Sequence, residues 1–132
     1  MAKSWSEKFE SKPHPEVKII EKDFWGQKAG DRMLIPSPKL IEEYLNDSVR
    51  GAQIDILQMR RDLAAAQDAD FTCPMTTSIF LRIVAEYNLE KIARNESEIA
   101  PFWRAIDPKS DLAKKLSCGP AFISSKKEEE LN

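Results

Sequence analysis

Side chains able to do covalent chemistry are few in this sequence: one histidine, His14, and two cysteines, Cys73 and Cys118. His14 lies between Pro13 and Pro15, a loop setting, and a Ser-His-Asp or Cys-His nucleophile would have to recruit it from there. One histidine and two cysteines without zinc-ligand spacing make no metal centre, and four glycines in the whole chain supply no Gly-rich phosphate loop. Cys73 precedes Pro74 at the expected start of a helix, where the dipole and the free N–H groups can lower a thiol pKa. A reactive thiolate is therefore one reading of Cys73, and a small buried residue filling a helix-entry pocket is the commoner one. Cys118, before Gly119 and Pro120, sits in a turn with no activating neighbour. No cofactor follows from any of these residues.

The most informative stretch is Pro101-Phe102-Trp103-Arg104-Ala105-Ile106. It reads as an aromatic pair on an extended, buried segment with an arginine, whose plain role is to tie down neighbouring backbone carbonyls. The cations Arg60, Arg61 and Arg82 and the hydroxyls of Thr77 and Ser78 are the other polar groups that helical spacing places towards solvent.

These residues need elements to hold them. Residues 1 to 32 mix charge, proline and isolated aromatics and read as an arm; Trp5, Phe9, Phe24 and Trp25 are too apolar for a solvated tail, so the arm should pack over the core. Within it Glu16 to Ile20 is strand-like. Residues 33 to 132 form the main domain. Ser37 caps a helix from Pro38 to about Asn46, with Leu40, Ile41, Tyr44 and Leu45 as its apolar face. Ala52-Gln53-Ile54 suits one short strand. Asp55 and Gln58 have capping-box spacing for a second helix to about Gln67, with Ile56, Met59 and Leu63 inward and Arg60, Arg61 and Asp62 outward. A third, central helix runs from about Thr76 to Arg94; its polar stripe is Thr77, Ser78, Arg82 and Glu86, while Ile79 and Phe80 belong to its apolar band. Two short helices follow the turn at Asp107 to Ser110. Three helices, a short strand between the first two and an extended segment behind the third match a winged helix-turn-helix, an α-rich α+β fold with a short sheet.

The chain has 132 residues, 42% of them hydrophobic and 32% charged, which suits one globular domain. No apolar run approaches the roughly 20 residues of a membrane span, and the first residues lack the apolar stretch of a signal peptide. A cytoplasmic protein with reduced thiols and no membrane contact is expected. The formal charge is −2, and residues 36 to 110 hold nine Lys or Arg against twelve Asp or Glu. Long-range attraction for a nucleic acid is absent, so any DNA contact must be local.

Taken with the elements before it, the Pro101–Ile106 stretch resembles the Pro-Cys-His-Arg-Val active-site motif of the DNA-binding domain of O6-alkylguanine-DNA alkyltransferases. The resemblance spans about Pro36 to Leu131, with Pro101 and Arg104 kept at the motif's spacing. The family's nucleophile falls on Phe102 and its base on Trp103, so alkyl transfer at that position is excluded. An aromatic residue in place of the cysteine marks the alkyltransferase-like proteins, which bind alkylated guanine without repairing it. The resemblance thus implies a non-enzymatic binder of double-stranded DNA connected with DNA repair. Thr77, Ser78 and Arg82 would then meet the groove, Arg60 and Arg61 the phosphates, and Pro101, Phe102, Trp103 and Arg104 would line a base pocket. The sequence departs from the family where Ile56 replaces the tyrosine that turns the target phosphate, where Thr76 to Ser78 replace the intercalating arginine, and where Ile79 and Phe80 replace small residues. Base flipping lacks its two usual helpers. The competing expectation is a winged-helix module that binds a protein partner and has lost DNA; a thiol-reactive protein using Cys73 is a third.

Overall fold

Ser4 opens the first helix with a reciprocal cap: its Oγ accepts from the Glu7 N–H and Glu7 Oε1 accepts from the Ser4 N–H, both at 3.1 Å. That helix begins a computed structural model that describes residues 3–132. In chain order it contains α1 (Trp5–Glu10), β1 (Glu16–Ile19), β2 (Arg32–Ile35), α2 (Pro38–Asn46), α3 (Ile56–Ala66), β3 (Phe71–Thr72), α4 (Pro74–Ala93), a 3₁₀ turn (Phe102–Ala105), α5 (Asp111–Lys115) and α6 (Gly119–Leu131). The protein is thus an α-rich α+β fold. No helix among the described residues is long and apolar enough to cross a membrane.

The sheet has the order β1-β2-β3. β1 runs antiparallel to β2, with Glu16 opposite Ile35 and Ile19 opposite Arg32, and β3 runs parallel to β2, with Leu34 opposite Thr72. The segment read as an arm therefore contributes the edge strand β1, and its boundary at residue 32 falls on the first residue of β2. α1 is tied to the core as well: Phe9 stacks on Tyr87 with ring centroids 4.2 Å apart, and the Ser6 N–H donates to Glu90 Oε1 at 3.1 Å.

α2 starts where Pro38 presets a helical φ and Ser37 Oγ accepts from the Leu40 N–H at 3.1 Å. Tyr44 of α2 donates its hydroxyl proton to Asp62 of α3 at 2.5 Å, and Gln58 Nε2 donates to the same carboxylate at 2.8 Å. Gln58 thus serves Asp62 rather than closing a capping box with Asp55. Burial, then the hydrogen bond to Asp62, pushes the Tyr44 phenol up to about 12. Leu34, Ile41, Leu45, Met59, Val84, Phe102 and Ile123 have no exposed surface and form the centre of the core.

α4 is packed by both α1 and α2, which is why its buried band is broader than an amphipathic stripe. Two expectations for it change. Glu86 is buried, its carboxylate accepting from the Ser117 N–H at 3.1 Å and the Ser117 hydroxyl at 2.5 Å. Ile79 points outward, 54% exposed. Asn88 joins three elements from inside the core: its amide nitrogen donates to Glu42 Oε2 at 3.0 Å and the Val84 carbonyl at 2.8 Å, and its oxygen accepts from the Ala100 N–H at 2.9 Å. A buried amide satisfied on both ends fixes α2, α4 and the chain before Pro101 in one arrangement.

Two local expectations are corrected. Ala52-Gln53-Ile54 makes no strand, because its one cross-chain backbone bond is from the Ile54 N–H to the Arg104 carbonyl at 2.8 Å. Phe102 to Ala105 is a 3₁₀ turn rather than extended chain. Pro101 fixes the entry, and the Arg104 N–H closes onto the Pro101 carbonyl at 3.1 Å.

Candidate nucleic-acid interface

Pro101 to Arg104, expected to line a base pocket, do not line one together: Arg104 borders a recess with Gln53, Ile54 and Lys127, and Phe102 lies in the core. Phe102 is fully buried, stacked nearly parallel on Phe122 at 6.2 Å and edge-on to Trp103 at 5.2 Å. Arg104 turns inward: its Nη2 donates to Glu130 Oε2 at 2.7 Å, its Nε to Oε1 at 3.0 Å, and its Nη1 to the Ser48 carbonyl at 2.8 Å. These bonds clamp α6 and the α2–α3 connection onto the 3₁₀ turn, so the arginine's donors are taken up by the protein itself. The Arg104 guanidinium holds the Glu130 carboxyl below the usual carboxylate range. Pro101 and Trp103 are partly exposed at the rim of this clamp.

The expected groove-facing residues of α4 separate. Thr77 is buried, its Oγ1 donating to the Cys73 carbonyl at 2.7 Å, the back-bond a helical threonine makes when water cannot reach it. It is withdrawn as a DNA contact. Ser78 is exposed beside a recess of about 330 Å³ whose rim carries Asp55 and Asp107. Arg82, half-buried, packs its guanidinium 5.3 Å from the Trp5 ring and reaches the Lys115 carbonyl at 3.5 Å, so α1 and α5 hold it against the surface.

Cys73 is 6% exposed and makes no side-chain hydrogen bond to the free N–H groups of α4. The thiol packs at the strand-to-helix step and does not line the grooves described here. Burial pushes the Cys118 thiol up, away from the thiolate. No group of three or more His, Cys, Asp or Glu among the described residues could hold a metal ion.

Arg60 and Arg61 lie together on a groove of about 420 Å³, the side of α3 opposite its buried Met59 and Leu63. Ala64 and Ala65, with only methyl groups, leave the depression, and Phe71, Thr72 and Pro74 close its far side. Among the described residues neither guanidinium enters an ion pair. Asp70 also borders the groove, but its carboxylate is taken up by Arg32, accepting from the backbone N–H at 2.7 Å and standing 3.8 Å from Nε. The groove thus carries two guanidinium groups without an ion-pair partner among the described residues and one carboxylate, Asp70, whose counter-ion Arg32 is shared with Asp68. Thr72 Oγ1 donates to the Arg60 carbonyl at 2.7 Å and so fixes this turn of α3 to β3.

Sequence reasoning missed the fourth wall. In the loop joining β1 to β2, Phe24 and Gln27 exchange two backbone hydrogen bonds of 2.9 Å, and the residues between them, Trp25 (φ 51°) and Gly26 (φ 82°), are both left-handed. This is the geometry of a type I′ turn, which favours Asn, Asp or Gly at the position Trp25 occupies. The Trp-Gly pair gave no signal, because Asn-Gly and Asp-Gly are the pairs that announce such a turn. Trp25→Asn should raise the unfolding free energy by about 0.5 to 1 kcal/mol by relieving that strain, read as a thermal midpoint a few degrees higher.

Comparison of the chain with protein-family models, with curated proteins and with solved structures finds no match.

Proposed function

We propose that the protein binds DNA without altering it covalently, as a divergent relative of the alkyltransferase-like proteins, and that Arg60 and Arg61 hold the DNA backbone. The observation that carries this reading is the pair of adjacent guanidinium groups on one groove, free of internal partners. Two unpaired arginines on a chain of net charge −2 suit a phosphate contact that is local rather than a field spread over a face. On this reading α3 and α4 are the two helices of a winged helix-turn-helix, and the β1–β2 hairpin, which precedes them in the chain, takes the place of the wing. Ser78, exposed beside the separate recess that Asp55 and Asp107 border, is a further contact on this reading. Arg82 and Phe102 have no part in it.

A second reading, a protein-binding module, draws on one observation: Leu57 on the groove wall and Met75 and Ile79 beyond Pro74 are 41%, 55% and 54% exposed. Apolar side chains at this exposure suit a docked protein better than a phosphate backbone.

The test is a titration of labelled duplexes, with and without one O6-methylguanine, at two salt concentrations. Binding should weaken with salt, and Arg60→Ala with Arg61→Ala should lower the slope of log K against log salt by about 2, one for each phosphate that is no longer neutralised. A duplex that fails to bind at low salt, or an affinity indifferent to the double substitution, would reject the proposal in favour of the protein-binding module.

A further inference from the structure

We propose that Trp25 is a stacking platform for one unpaired nucleobase, so that the groove takes a single nucleotide of a strand with its phosphates on Arg60 and Arg61. This rests on the nucleic-acid reading above and specifies the form of nucleic acid.

The first ground is the cost of the residue. A bulky side chain in a left-handed turn position is strained, and such strain persists where the surroundings or a function require it. The fold gives this one a single aromatic contact, the Phe24 ring: the indole of Trp25 is 65% exposed, and Gly26 already supplies the second left-handed residue of the turn. The turn would form better around asparagine, so the indole is kept for what its free face can touch.

The second ground is how the indole is mounted. Its edge meets the Phe24 ring at 6.1 Å, and Phe24 in turn packs on Phe71 of β3 at 6.5 Å. This aromatic chain ties the turn to the sheet and sets Trp25 on the wall of the groove that Arg60 and Arg61 also line. The groove, about 420 Å³, lies in the range of sites that take one small molecule.

The third ground is the chemistry of the set. An aromatic face beside unpaired guanidinium groups is the combination that binds single strands: the base stacks and the phosphates are neutralised, with little dependence on sequence. Inside a perfect duplex both faces of each base are already stacked on neighbours. The indole can therefore be used only by a base that has left the stack, in a single strand, a bulge or a frayed end. Charge decides against an apolar peptide here, since burying Arg60 and Arg61 under one would leave both cations unpaired.

The experiment compares a labelled single strand of about ten nucleotides, its perfect duplex and a duplex with one bulged nucleotide, at fixed low salt. The strand and the bulged duplex should bind more tightly than the perfect duplex by about fivefold or more, and Trp25→Asn should weaken both by roughly 5- to 100-fold. Trp25→Phe, which keeps an aromatic face, should recover part of the loss. Trp25→Asn suits the turn, so a thermal midpoint no lower than that of the parent separates lost stacking from lost folding. Unchanged strand binding in Trp25→Asn, or a perfect duplex bound as tightly as the strand, overturns the stacking proposal. If duplex binding still depends on Arg60 and Arg61 in that case, the DNA reading stands. No binding to any of the three overturns both.

Discussion

Glu130→Ala should lower the unfolding free energy by about 3 to 5 kcal/mol, the cost of stranding a buried charge, and the thermal midpoint by roughly 10 °C or more. The substitution leaves the Arg104 guanidinium, with a side chain 10% exposed, bonded to Ser48 and to no anion. It also removes one tie between α6 and the α2–α3 connection, since Glu130 Oε1 accepts from the Gly51 N–H at 3.4 Å, and leaves the bond from Arg50 Nη2 to the Glu129 carbonyl at 2.6 Å. The pH dependence has a definite sign. The folded-state pKa of Glu130 is depressed, chiefly by its hydrogen bonds from Arg104, so the stabilisation is fully present above the unfolded carboxyl's value, near 4.5, and is lost as pH falls through the lower folded value. Urea unfolding at pH 7 and pH 3 should therefore show a large difference between parent and variant that narrows in acid. A deficit below about 1 kcal/mol at neutral pH would mean that the last turn of α6 frays and that the clamp is not formed in solution.

Phe102→Cys places a thiol at the position that the resemblance to alkyltransferases gives their nucleophile, and it should destabilise the protein by about 3 kcal/mol without creating a transferase. The cost follows from the loss of a ring with no exposed surface, stacked on Phe122 and set edge-on to Trp103, in a core that can close only part of the gap. The missing activity follows from access. Neither the Arg60–Arg61 groove nor the recess beside Ser78 is lined by residue 102, and transfer needs the sulfur at about 3 to 3.5 Å from the alkyl carbon. Parent and variant, incubated with a duplex carrying labelled O6-methylguanine, should both remain unlabelled. Stoichiometric label on Cys73, abolished in Cys73→Ser, would show that a buried thiol reaches the lesion and would replace the non-enzymatic reading. Label on the thiol introduced by Phe102→Cys would show that a path to this position opens when DNA binds.

The sequence by itself determined the features set by a few neighbouring residues. Ser37 with Pro38 starts α2, Ser110 starts α5, and Asp55 precedes α3, because each cap is a side-chain oxygen accepting from a backbone N–H two or three residues on. The outward position of Arg60 and Arg61 was legible in the same way, since Met59 and Leu63 mark the buried side of a helix contacted on one face. Only the tertiary structure decided the rest. The side of α4 that faces solvent depends on α1, which arrives from some 80 residues earlier to cover Tyr87 and Glu90. The plain role of Arg104, tying down a backbone carbonyl, is met at Ser48, whereas its ionic partner is Glu130, 26 residues later, and a carboxylate at that distance leaves no periodic trace. Trp25 shares a groove with the arginines of α3 only because β2 brings the hairpin beside β3. Side-chain type and short spacing govern bonds closed within one turn of chain, whereas which charge is buried and which aromatic is left over a groove depend on segments that meet only when the core packs.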